Sequence, residues 1–238
     1  MTAEDIRQVT DAFGAAAIRA QQAGFDGVQI HSAHGYLISQ FLSTAFNQRQ
    51  DQYGGDIGNR ARILMEVLQS VRNAVGREYP VLVKLNCQDF IDNGLALEDS
   101  LQVATMLVQN GIDAIELSGG VLVGGKLNPV RVGIKTEEKE AYFQRDAVAF
   151  KKQVDVPLIL VGGNRSFQVS ERLVEEGVAD YLSMSRPLIR EPGLVNRWKS
   201  GDLARAACVS DNMCFGPASK GNGIYCLTEE RQKARKNS

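Results

Sequence analysis

The chain has 238 residues, 44% hydrophobic and 23% charged, enough to bury one sizeable α/β core. Its net charge of -1 gives no electrostatic reason to expect nucleic acid or an anionic membrane as partner. Residues 1–10 are polar, without a signal-peptide pattern, and no apolar run nears the ~20 residues that span a bilayer, so a cytoplasmic protein is expected. Cys87 stands alone mid-chain while Cys208, Cys214 and Cys226 cluster near the end, which suits a reducing compartment better than a disulfide framework.

The first predicted element is a helix over residues 2–23. Thr2 is its N-cap, Glu4 and Asp5 are acids in its first turn, and Ile6, Val9, Phe13, Ala16, Ala17 and Ala20 lie at helical spacing. The apolar run 28–30 then breaks at once into polar residues, the pattern of a buried parallel strand ending at a loop. A long loop to about residue 58 precedes a helix over 59–75 with Ile63, Leu64, Val67, Leu68 and Val71 on one face. VLVKLN, a helix over 98–110 and AIELSGG follow, with Cys87 expected as a small buried hydrophobe. Residues 119–135 read as a Gly- and Val-rich loop, and residues 136 to about 154 as a charged helix capped by Thr136. LILVGG is a strand, 166–176 a helix, and ADYLSMSRPLI the last strand.

Strands alternating with helices of this length predict βαβ units and a parallel sheet. The repeated module favours a (β/α)-barrel over a doubly wound sheet, whose G-x-G-x-x-G turn is absent. Five strands are countable, whereas a closed barrel of this type has eight.

His31, His34 and Tyr36 fall within six positions at the end of the first strand, where α/β proteins place ligands. Two imidazoles on such a turn can donate to one oxygen, and a phenol nearby can deliver a proton. Taken alone, a His-x-x-His pair is more simply one core imidazole and one loop imidazole. Zinc is less expected, since the helical i, i+4 spacing and the glutamate of a metalloprotease are absent.

The longer run decides between these readings. His-x-x-His-Gly-Tyr-Leu-x-x-Gln-Phe-Leu-Ser, continued by Asn47, Arg49, Asp51, Tyr53-Gly54-Gly55, Asn59-Arg60 and Arg62, resembles the signature of the old yellow enzyme family of FMN-dependent ene-reductases. The likeness extends more loosely to about Tyr225. It implies a TIM barrel that starts here in the helix before the fourth strand, so that the first three βα units, and their contacts to flavin N5 and the pyrimidine edge, would lie upstream of Met1. A five-stranded remnant is expected to expose two strand edges.

The resemblance also implies roles. His31 and His34 would hold the oxygen of an α,β-unsaturated acceptor as an oxyanion hole does, Tyr36 would protonate its α-carbon, and FMN would carry hydride from NAD(P)H. Lys84 would be a cation on the N1 and O2 side of the flavin; read from the residues alone, it is a snorkelling side chain, a cation at the barrel mouth or a Schiff-base amine. Gly162 and Gly163 with Ser185 and Arg186 match the two halves of a barrel phosphate site, although Gly-Gly by itself is an ordinary tight turn.

In ACVSDNMCFGPASKGNGIYC, Cys208, Cys214 and Cys226 approximate the tail of the family's iron–sulfur branch, with Asp211 in the second ligand position. Three thiolates and one acid make a weaker site, so a relic is expected rather than a working [4Fe–4S] cluster, and zinc less still. Residues 1–203 are thus expected as a partial FMN-binding barrel domain and 204–238 as a Cys-containing tail. The expected function is NAD(P)H-dependent reduction of activated C=C bonds, with a small molecule as partner and a homo-oligomer left open. The alternatives are a Schiff-base lyase using Lys84, and an inactive fragment or a subunit completed by another polypeptide.

Overall fold

The computed structural model describes residues 1–236. It opens with α1 (Ala3–Gln22), where Thr2 Oγ1 accepts from Asp5 N at 3.1 Å and Asp5 Oδ2 accepts from Thr2 N at 2.6 Å, a reciprocal capping box. In chain order follow β1 (Val28–Ser32), α2 (Leu37–Leu42), α3 (Ile57–Val75), β2 (Val81–Asn86), α4 (Leu97–Gln109), β3 (Ala114–Ser118), α5 (Gln144–Gln153), β4 (Leu158–Leu160), α6 (Phe167–Glu175) and β5 (Tyr181–Leu182). Four short helices end the described chain: α7 (Arg186–Arg190), α8 (Leu194–Lys199), α9 (Phe215–Ser219) and α10 (Leu227–Lys236).

The five strands form one parallel sheet in the order β1-β2-β3-β4-β5, each joined to the next through helix. Among the described residues the sheet is open, and β1 and β5 each have one partner, as five countable strands predict. Register separates its two faces. Ile30, Val83, Ile115 and Leu158 align across the strands, as do Ser32, Leu85, Leu117 and Leu160, and all eight are buried beneath the helices. Ile63, Leu64, Val67 and Leu68 of α3, with Val103 and Leu107 of α4, join them in one core. Full burial of each large aliphatic side chain contributes roughly 1.5–3 kcal/mol.

Three predicted elements are corrected. The expected helix over 136–154 is a 3₁₀ turn at Glu137–Lys139 followed by α5, and the Thr136 side chain caps no backbone N–H. Between the two, Ala141 takes a φ of 46°, and Glu140, Tyr142 and Phe143 turn inward. The Glu140 carboxylate accepts from the backbone N–H of Arg165 at 2.8 Å and of Ser166 at 2.9 Å, so it caps α6 from a distance. The last strand shrinks to two residues, Tyr181 and Leu182, paired with Ile159 and Leu160 of β4, and Pro187 suits the first turn of α7. The long loop after β1 contains the unpredicted α2, a helix too short to show periodicity.

Several signature residues brace that loop. Asn47 Nδ2 donates to Phe41 O and Tyr53 O, both at 2.7 Å, and Arg49 pairs with Asp51. Buried Arg60 donates to Leu42 O, to Gly55 O at 3.0 Å and to Asp99 Oδ2 at 2.6 Å. These bonds fix the end of α2 and the loop that follows it. Cys87 is fully buried, and burial pushes its thiol well up. No helix among the described residues is long and apolar enough to cross a membrane.

Candidate active site at the carboxyl ends of the strands

The second face of the sheet differs from the first in chemistry. One residue out of step with the core rows, His31, Lys84, Glu116, Ile159 and Tyr181 align across all five strands. His31 sits at the end of β1, and the chain turns there with His34 in the left-handed region at φ 64°. That backbone is uncommon for histidine, and Asn86 Oδ1 holds it by accepting from His34 N at 3.2 Å. The imidazoles of His31 and His34 lie edge to face with centroids 5.3 Å apart, and the Tyr36 ring is 5.0 Å from His31. Tyr36 is half exposed at the N-terminus of α2, so its phenol is accessible from outside.

His34 Nε2 and Ser118 Oγ are 2.7 Å apart, which fixes the imidazole against β3. Burial, reinforced by the positive charges of Lys84 and His31, lowers the His34 imidazole to about 3. His31 is lowered too, first by burial and then by Lys84, while Glu116 opposes the shift in both. Both therefore favour the neutral form at pH 7, with one N–H each; His34 offers its N–H to a ligand in the tautomer whose Nε2 accepts from Ser118 Oγ and whose Nδ1 carries the proton. His31 Nδ1 is buried with no hydrogen-bond partner among the described residues, a polar atom that a ligand could satisfy.

Lys84 does not merely snorkel. Its Nζ lies 2.5 Å from Glu116 Oε1, and the two side chains are 18% and 9% exposed. Burial alone would raise the Glu116 carboxyl, but Lys84, with hydrogen bonding from Ser183 and Gln29, carries it below its ordinary value. Glu116, Ser118 and Asn86 were not among the predicted site residues.

The predicted phosphate residues lie in the segments that follow β4 and β5, at the far edge of the sheet. Asn164 Nδ2 donates to Leu160 O and Ser183 O, tying the β4 loop that holds Gly162 and Gly163 to the end of β5. Gly162 and Gly163 have φ of 141° and 79°. A Cβ on Gly163 would stand 2.9 Å from the Tyr142 ring, so that packing requires glycine there whatever else the turn does. Ser185 caps α7 with no side-chain bond. Arg186 is buried and donates through Nη1 to Arg131 O at 2.9 Å and Asn212 Oδ1 at 2.6 Å. Arg131 lies over the rings of Tyr142, Phe143 and Phe90 at 4.5, 5.1 and 5.2 Å, and so anchors the segment after β3.

In the tail, Cys208 and Cys214 are buried and Cys226 is half-buried. Asp211 accepts from Thr228 Oγ1 and from Met213 N, and Cys226 Sγ lies 3.5 Å from Arg190 Nη1. Among the described residues no three His, Cys, Asp or Glu side chains converge as a metal site.

A parallel α/β sheet with His31, Lys84 and Glu116 level on its open face, and with His34 and Tyr36 in the loop beyond β1, has the architecture of a barrel that binds its ligand at the carboxyl ends of its strands. The chain belongs to the NADH:flavin oxidoreductase / NADH oxidase family, whose model matches residues 1–204. It is 34% identical over 220 residues to NADH oxidase of Thermoanaerobacter brockii, covering 91% of this chain and 33% of that protein. It is also 34% identical over 192 residues to NADPH dehydrogenase of Bacillus subtilis, covering 81% and 54%. Among solved structures, a 2-naphthoyl-CoA reductase complex superposes with a TM-score of 0.79 at 32% identity, covering 87% of this chain and 32% of that one. The old yellow enzyme homologue of Zymomonas mobilis gives 0.69 at 28%, covering 88% and 56%. The chain thus spans from about a third to just over half the length of these proteins.

Proposed function

We propose that this chain carries the acceptor site and part of the flavin site of an NAD(P)H-dependent FMN oxidoreductase that reduces activated C=C bonds. The observation that carries the reading is the edge-to-face His31–His34 pair beside Tyr36, with His31 level with Lys84 on the same sheet face. FMN, when bound, takes hydride from NAD(P)H and delivers it to the β-carbon of the acceptor.

The residues present fit that group at both ends. Lys84 offers positive charge on the open face beside the unpartnered His31 Nδ1, and Arg186, in the helix after β5, would hold a phosphate together with the backbone of the Gly162-Gly163 turn after β4. Ser185 adds a backbone N–H there. The His31 and His34 N–H groups hold the carbonyl or nitro oxygen of the substrate and stabilise the negative charge that develops on it. Tyr36, exposed at the mouth, gives its proton to the α-carbon, so the saturated product leaves with one hydride and one proton added. The domain reading, residues 1–203 for this site and 204–238 for the tail, is part of the same proposal.

The test is the visible spectrum of the purified chain after incubation with FMN and desalting, followed by NADPH consumption with a cyclic enone. A retained flavin band and enone-dependent oxidation are expected. A colourless chain would remove the flavin reading for this polypeptide.

A further inference from the structure

The Lys84–Glu116 pair is not explained by the roles assigned so far. Its two residues face each other in register on the central strands, on the face that also bears His31. Apolar residues fit this face, since Leu82 lies one pleat below Lys84 and Ile159 pairs with Glu116. An ion pair this buried is a poor way to stabilise a sheet, because an apolar pair of similar volume is commonly as stable or more so. β3 is otherwise Ala, Ile, Leu and Ser, so Glu116 is its one ionisable group, and it points to the site.

We propose that Glu116 is the positioning residue of this site: its carboxylate holds Lys84 Nζ on the open face beside the histidines and offsets its charge. A free lysine has four rotatable bonds and prefers water, so an ammonium kept at one point of a sheet face needs an anionic partner. Glu116 meets it from β3 at 2.5 Å, and Ser183 beyond β5 and Gln29 on β1 also favour its carboxylate form. The charged and titratable groups that share this face are His31, His34 and Tyr36 from β1 and its loop, Lys84 from β2, Glu116 from β3 and Tyr181 from β5. Between Lys84 and Glu116 the net charge is zero, so Glu116 offsets part of the downward pull that Lys84 exerts on the histidines, which burial still keeps neutral. An anionic ligand arriving at Lys84 then finds an ammonium already in place.

The inference rests on the proposed function only for its flavin readout. The histidine readout stands without FMN and is clean, because the chain has two histidines. The apoprotein is followed by NMR titration of both imidazoles in three variants. In Glu116→Gln the amide oxygen still accepts from Lys84 but the offsetting charge is gone, so the His31 midpoint should fall by about half a pH unit. In Glu116→Ala nothing holds Lys84, and the midpoint should lie above that of Glu116→Gln. Lys84→Met should raise it above wild type.

Identical midpoints in Gln and Ala would overturn positioning, and midpoints unchanged from wild type would leave Glu116 a structural residue only. Should both Glu116 variants fail to fold, an unshifted His31 in Lys84→Met overturns the proposal on its own. With FMN bound, Glu116→Gln should raise the flavin midpoint potential, by about 30 mV for a tenfold change in the reduced-to-oxidised ratio. A merely structural loss would not raise it. If the wild-type chain binds no FMN, the flavin reading fails while the histidine titration still decides the role of Glu116.

Discussion

The two faces of this sheet are built from the same strands and differ by one residue of register. On one face Ile30, Val83, Ile115 and Leu158 disappear under helices; on the other His31, Lys84, Glu116 and Tyr181 stand level with one another. The alternation of side chains makes both from one stretch of sequence, so a slip of one residue would exchange core for site. The apolar face resists substitution because its atoms have no alternative contacts. The polar face is held by few bonds, each with a chemical consequence.

The largest expected effect lies on the core face. Ile115→Ala should cost about 3–4 kcal/mol in denaturant unfolding, because a fully buried side chain leaves a cavity between the sheet and its helices. If the two faces are as separate as the register implies, the histidine midpoints of that variant stay where they were. A large shift in them would join the two faces and break the comparison.

On the site face, His34→Ala should lower kcat/KM for a cyclic enone by about 10²-fold, the loss typical of one oxyanion donor. Melting temperature should change little, since His34 makes one side-chain bond, to Ser118. A melting shift larger than the activity loss would assign His34 to the fold instead.

Acid should reveal the same imidazole. Its folded value of about 3 lies below its ordinary one, so the unfolded chain binds the extra proton first and stability falls as pH drops from about 6.5 toward 3. The slope from this one group is about 1.4 kcal/mol per pH unit at most, and His34→Gln should remove it. A wild-type curve flat between pH 6 and 4 after carboxylate effects are subtracted would contradict a buried neutral His34.

The smallest effect belongs to neither face. Thr2→Ala removes one half of the capping box of α1 and should cost about 1 kcal/mol. It serves as the control that leaves both titration and activity unchanged.

Much of this was legible in the chain itself. Helical spacing points to α1 and α3, apolar runs to the strands, and the histidine run to the family. Lys84 stands out as a charge in an apolar strand, and AIELSGG carries the same signal in Glu116; the parallel register pairs the two. Ser118 and Asn86 carry no such signal, because a short polar residue at a strand end is ordinary until the fold brings His34 to it. The 3₁₀ turn and inward Glu140 lay beyond periodicity, since the need for them comes from the N-terminus of α6, 25 residues away.

The most direct measurement is amide and side-chain NMR of the labelled chain as FMN is added. The account predicts shifts confined to His31, His34, Lys84, Glu116, Gly162, Gly163 and Arg186, with Ile63, Leu64 and Leu107 on the helical side unmoved. Shifts gathered on the helical side, or none at millimolar FMN, would contradict the claim that the open face is the flavin and acceptor site.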